Sequence, residues 1–285
     1  FMKKTLIALT VITSTMVSCS TIAALGGWSE NAPGNIEFSG IITMPSEVKW
    51  LWAVGEGFNS FTSVTSDLTN NGQTLNIPIK KDMPLLAAKM NEATTESIIG
   101  VIPTVTFSSY DSTPVSVTFT DASHATMTVK VKDTTNGSEI GNITIPFEYG
   151  ASASANMLDG TDNGLVGASS FMSGGEGTMF AGIVKPNTVI PSSVALKWNG
   201  LTVNDLYSAI KAVGGDKITG AGSVTSTFVN MSNISSTNYV GTNYARYFSY
   251  GAGITSGSEL TAEFNSPVTT RTQWQAPLTI TVSYS

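Results

Sequence analysis

Apolar and small polar side chains alternate along much of this chain. Residues 278–285 read Leu, Thr, Ile, Thr, Val, Ser, Tyr, Ser, so Leu278, Ile280, Val282 and Tyr284 fall on one side. A period of two describes a strand with one buried and one wet face. The same alternation marks residues 115–119, 127–132, 142–145 and 259–264. Thr135-Asn136-Gly137 supplies turn chemistry between two of these stretches and predicts a hairpin. Nearer the start, Ile36, Phe38, Gly40 and Ile42 share one face after a Gly/Pro-rich lead of Gly26-Gly27 and Pro33-Gly34. Two alternating stretches at opposite ends of a chain are available to pair outside their own domain. This points to an assembly subunit.

Period 3.6 is rarer. Apolar residues at 203, 206, 207, 210 and 213, followed by Gly214-Gly215, predict one amphipathic helix of about three turns. A shorter helical piece is expected over residues 84–90. Many short strands with Gly, Asn and Ser punctuation suggest an all-β sandwich. A bare immunoglobulin-like sandwich needs only about 100 residues, so something is inserted. Alternation weakens and glycine thickens (Gly174-Gly175-Glu176-Gly177) between about 151 and 245, which is therefore the expected insertion, a small α/β subdomain.

Lys3 and Lys4, an apolar run to about Val17 and then small residues have the form of a secretory signal over residues 1–26. The run is shorter than the roughly 20 residues that span a bilayer. Cys19, the sole cysteine, lies within it; Val17-Ser18-Cys19 is lipobox-like, but Met16 fits that motif poorly. Cleavage near Gly26 would leave a chain without cysteine and hence without disulfides. Losing two lysines and no acid moves the formal net charge from -6 to -8, which disfavours nucleic acid as a partner. Charged residues make up only 12% of the sequence, the balance of an extracellular β protein with an uncharged polar surface.

The residues then take on a specific likeness. Gly34-Asn35-Ile36-Glu37-Phe38-Ser39-Gly40, residues 48–57 (Val-Lys-Trp-Leu-Trp-Ala-Val-Gly-Glu-Gly) and Thr272-Gln273-Trp274-Gln275-Ala276-Pro277 with the strand after it resemble the FaeG-like major subunits of chaperone–usher fimbriae. That group comprises the K eighty-eight and F forty-one types; Lys197-Trp198-Asn199-Gly200-Leu201 and Ser249-Tyr250-Gly251-Ala252-Gly253 are closest to the latter. The resemblance implies an incomplete immunoglobulin-like sandwich, residues 44–285, completed by donor-strand exchange. It assigns residues 27–43 as the donor extension, with Ile36, Phe38, Gly40 and Ile42 entering a neighbouring subunit. It makes Leu278, Ile280, Val282 and Tyr284 the strand bound by a periplasmic pilus chaperone. An outer-membrane usher would then export the homopolymer to the cell surface, and host glycoconjugates would be the ligands of a subunit that is itself the adhesin.

Chemistry is otherwise sparse. His124, the only histidine, reads as an exposed residue in a turn, with no Ser or Asp placed to make a nucleophilic triad. The Asp159-Gly160-Thr161-Asp162-Asn163-Gly164 run has alternating oxygen ligands but reads as turn-forming, since the later bidentate Glu of a calcium loop is missing. No catalytic residue, metal site or cofactor is expected. A sugar site needs an aromatic face ringed by amide, hydroxyl and carboxylate groups. Two clusters offer both: Phe171, Glu176 and Phe180; and Tyr239, Asn243, Tyr244 and Tyr247. The resemblance places Phe171 near an aromatic of the family's ligand region. Core packing competes for each aromatic, and Trp50, Trp52, Trp198 and Trp274 are read as core. A purely structural pilin, with adhesion carried by another subunit, stays open as the alternative.

Overall fold

A computed structural model describes residues 50–56, 61–98, 100–161, 166–175, 177–220, 223–231 and 243–284. Strands β1 (Trp50–Val54), β2 (Leu68–Thr69), β3 (Thr74–Pro78) and β4 (Met83–Met90) come first. They are followed by β5 (Pro103–Ser109), β6 (Pro114–Val115), β7 (Val117–Phe119), β8 (His124–Asp133), β9 (Glu139–Met157) and β10 (Gly167–Ser173). After β11 (Val189–Ile190) the chain forms α1 (Ser192–Asn199) and α2 (Val203–Gly214). It closes with β12 (Ser223–Met231), β13 (Tyr244–Ile254), β14 (Glu259–Phe264), β15 (Trp274–Gln275) and β16 (Leu278–Tyr284). The fold is all-β with two appended helices, as the alternation requires.

The 19-residue β9 organises the larger sheet. Around Ile143 its two edges are held by β8 and β14. Further along, β13 pairs it over Glu148–Met157, and β10 bridges to it at Ala153. β13 pairs onward to β4, and β4 to β1. The expected hairpin joins β8 to β9, with Gly137 at φ 74° in the turn and its N–H donating to the Asp133 carbonyl. A smaller sheet has the order β16-β5-β6. Residues 151–157, within the range expected for the insertion, continue β9, and Tyr244, at the other end of that range, begins β13.

Helix α2 forms where its period predicts. Thr202 caps it, its hydroxyl accepting from the Asp205 N–H while the Asp205 carboxylate accepts from the Thr202 N–H. Residues 84–90 are not helical. They lie in β4, where Met83, Leu86, Ala88 and Met90 are buried. Pairing with β13 skips Leu85, a bulge that also accommodates Pro84, which has no N–H for a ladder. Helix α1 had no expectation. It rests directly on the sheet because Gly150, Gly251 and Gly253 leave room: a Cβ on Gly150 would lie 2.3 Å from the Ala195 nitrogen, and one on Gly253 2.2 Å from the Trp198 ring.

The opposite face of that sheet carries the core. Phe180 meets Trp50, Phe171 and Tyr250 at centroid distances of 5.3, 5.7 and 5.5 Å, and Phe171 meets Phe248 at 6.1 Å. Trp50 Nε1 donates to the Val101 carbonyl at 2.6 Å and Tyr250 Oη to the Ile183 carbonyl at 3.2 Å, so both buried donors are satisfied. Burial raises the Tyr250 phenol well above its ordinary range. Trp198 is also buried, while Trp52 and Trp274 are half-buried against the core.

Candidate functional site

Strand β16 forms as its alternation predicts, but only half its pairing is made. It pairs antiparallel with β5 from Leu278↔Ser109 to Tyr284↔Pro103. Its other edge has no strand partner among the described residues. Leu278, Ile280 and Val282 are only half-buried, and Tyr284 is 37% exposed. β1 is incomplete in the same way, pairing with β4 alone. Along its inner face Trp50 is buried and Trp52 half-buried, yet Val54 is 62% exposed. An apolar face that opens progressively to solvent marks a core lacking one layer of cover.

The two incomplete strands meet through side chains. Trp52 Nε1 donates to Tyr284 Oη at 3.1 Å. Apart from these two strands, a cavity of about 780 Å³ is lined by Leu85, Ile143, Ile145, Ile254, Leu260 and residues 272–277, the segment ahead of β16. The bulge at Leu85 turns that side chain into the cavity. The half-covered apolar face of β16 and its edge without a strand partner among the described residues suit an extended apolar segment that brings its own main-chain donors and acceptors. Ile36, Phe38, Gly40 and Ile42, the expected donor residues, lie outside the described residues.

The residues expected to bind sugar are placed differently from that expectation. Phe171 and Phe180 come together as foreseen, but both are fully buried in the aromatic core and present no ring face to a ligand. Phe180 has a left-handed backbone, φ 59°; its N–H donates to the Pro103 carbonyl, which holds the ring inward. Tyr244 and Tyr247 are also buried, and burial, aided by Asp205, pushes the Tyr247 phenol up to about 12. Asn243 is exposed, and its carbonyl accepts from the Leu158 N–H. Glu176 and Tyr239 fall outside the described residues. These aromatics pack in the interior because β13 is buried on both faces and Phe171 on β10 packs against Phe248 and Phe180.

The His124 turn contains a serine and an aspartate, but not in relay geometry. Asp121 Oδ2 and Ser123 Oγ both lie on Nδ1, at 2.9 and 3.3 Å, whereas a triad needs them on opposite ring nitrogens. The other nitrogen is 3.6 Å from Glu148. Asp159 uses its Oδ1 to accept from the Thr161 N–H and hydroxyl, an Asx turn. Ion pairs brace the surface: Lys130 contacts Asp111 at 2.7 Å and Glu139 at 3.1 Å, and Lys197 contacts Glu148 at 2.7 Å. Burial raises the Glu148 carboxyl, but the Lys197 hydrogen bond and charge outweigh it and leave it below the usual range.

Sequence comparison bears on the same features. A family model described as fimbrial, major and minor subunit matches residues 2–285. The chain belongs to this family. The F41 fimbrial protein of Escherichia coli is 39% identical over 289 residues, covering all of both chains. The K88 fimbrial protein AD of E. coli is 28% identical over 299 residues, 99% of this chain and all of that one; the AC variant is 27% identical over 296 residues at the same coverage. The protein is a component of the bacterial surface fimbrium. No helix among the described residues is long and apolar enough to cross a membrane.

Proposed function

We propose that this fimbrial subunit polymerises by strand complementation: residues 27–43 of one copy fill the groove between β1 and β16 of the next. The observation that supports this reading is the pair of strands β1 and β16, each paired on one edge among the described residues and each with an apolar face partly open to solvent. Ile36, Phe38 and Ile42 supply the apolar side chains, and Gly40 admits a close backbone approach. Before assembly, a periplasmic chaperone occupies the free edge of β16 and an outer-membrane usher then exchanges it for the neighbouring subunit. Replacing Phe38 with Asp would put a charge into the apolar groove. Fibres should then disappear from electron micrographs while the chaperone complex still purifies; normal fibres would remove residues 27–43 from the donor role.

Adhesion to host glycans is the second part of the proposal. Phe171, Phe180 and Tyr244 are buried, so in this reading other groups hold the sugar; the same burial supports the alternative of a structural pilin whose adhesion lies in another subunit. A soluble monomer, made by joining residues 33–43 after residue 285 of a chain lacking its own first 43 residues, separates these on a glycan array. Saturable binding supports an adhesin. A folded monomer that binds no sugar supports the structural pilin.

A further inference from the structure

We propose that Trp52 and Tyr284 form a latch across the space between β1 and β16 that must open before a donor segment can enter. The inference rests on the strand-complementation reading above and adds a control element to it. Adjacent strands lie about 4.8 Å apart, so two strands flanking an empty slot stand about 10 Å apart, too far for main-chain bonds. β1 and β16 share no ladder, yet their side chains meet through the 3.1 Å bond from Trp52 Nε1 to Tyr284 Oη.

The two partners are less enclosed than the core beside them. Trp50, two residues away on the same face of β1, is fixed by its bond to the Val101 carbonyl and by the edge of Phe180. Trp52 lies 6.5 Å from Trp50, is half-buried and, among the described residues, donates its indole N–H to the Tyr284 hydroxyl alone. Tyr284 is 37% exposed. The bond can therefore break without unfolding anything beneath it. A segment pairing with the free edge of β16 takes the space that the two side chains cross. The latch thus caps apolar surface between the two strands and yields when a donor segment pairs with β16.

The test uses the full chain and a fluorescein-labelled synthetic peptide of residues 33–43, with association followed by anisotropy. Tyr284→Phe removes the acceptor and Trp52→Phe removes the donor from the other side, and each keeps an aromatic ring in place. An exposed neutral hydrogen bond is worth a factor of about two to ten in rate. Both variants should take up peptide faster than the native chain by about that factor, with dissociation rates unchanged. Thermal unfolding checks that each is folded, and either variant alone suffices. Equal association rates in the native chain and the folded variants would overturn the latch while leaving strand complementation intact. Failure of the peptide to bind any form would overturn strand complementation itself, and the latch with it.

Discussion

A residue's chemistry takes its meaning from its burial, and Phe171 illustrates this best. Its ring is fully enclosed by Phe180 and Phe248. Phe171→Ala should therefore cost about 3–5 kcal/mol in denaturant unfolding, the usual loss for a core phenylalanine. A change within about 0.5 kcal/mol would mean the ring is not core. Asp111 presents the opposite case, a surface group set by its partner. The hydrogen bond from Lys130 and those from Thr113 hold its carboxyl down at about 2, against an ordinary 3.8. A lowered folded-state value means the charged form stabilises the fold above about pH 4, and this contribution fades as the pH falls toward 2. The thermal midpoints of the native chain and Asp111→Asn should differ modestly at neutral pH and converge near pH 2. A constant difference across that window would show that the pair does not titrate with folding.

At the scale of elements, α1 shows a contact that no periodicity announces. Its approach to the sheet depends on three glycines from two other strands, Gly150 on β9 and Gly251 and Gly253 on β13. Gly150→Ala would drive a Cβ into the backbone at Ala195, so the helix must lift from the sheet. The expected cost is at least about 1–3 kcal/mol. Gly175→Ala, where a Cβ meets nothing within 4 Å, should change stability by less than about 0.5 kcal/mol. Equal effects of the two in urea melts would show that α1 does not rest on that surface. β4 makes the related point for strands: Leu85, Leu86, Ala87 and Ala88 have good local helix propensity, but pairing on both edges, to β1 and β13, overrides it.

For the whole molecule, the organising fact is that two of the strands ending the sheets among the described residues, β1 and β16, carry apolar faces left partly open. Exposed edges of this kind are normally blunted or covered in a soluble protein. Here Val54 and Tyr284 stay exposed on strands whose inner faces line the core. Surface of that kind is suited to another chain. Membership of a fimbrial family gives it a context, and the Phe38→Asp and Tyr284→Phe experiments address occupancy and control of the groove separately.

What the sequence determined by itself was local and periodic. Alternation in β8, β14 and β16, the Asn136-Gly137 turn and the 3.6-residue period of α2 with its Thr202–Asp205 cap were all legible, because each depends on neighbours within a few residues. The likeness in residues 34–57 and 272–285 led to the family for the same reason: contiguous runs survive as pattern. Only the tertiary structure decided which aromatics are core, how α1 is seated, that residues 84–90 are a strand and that β9 continues to Met157. Each of those outcomes turns on partners far along the chain, such as Phe171 against Phe248 or Gly253 against Trp198. The groove belongs to the same class. Either strand read alone is an ordinary amphipathic segment, and its unpaired edge exists only once the other strands have found their places.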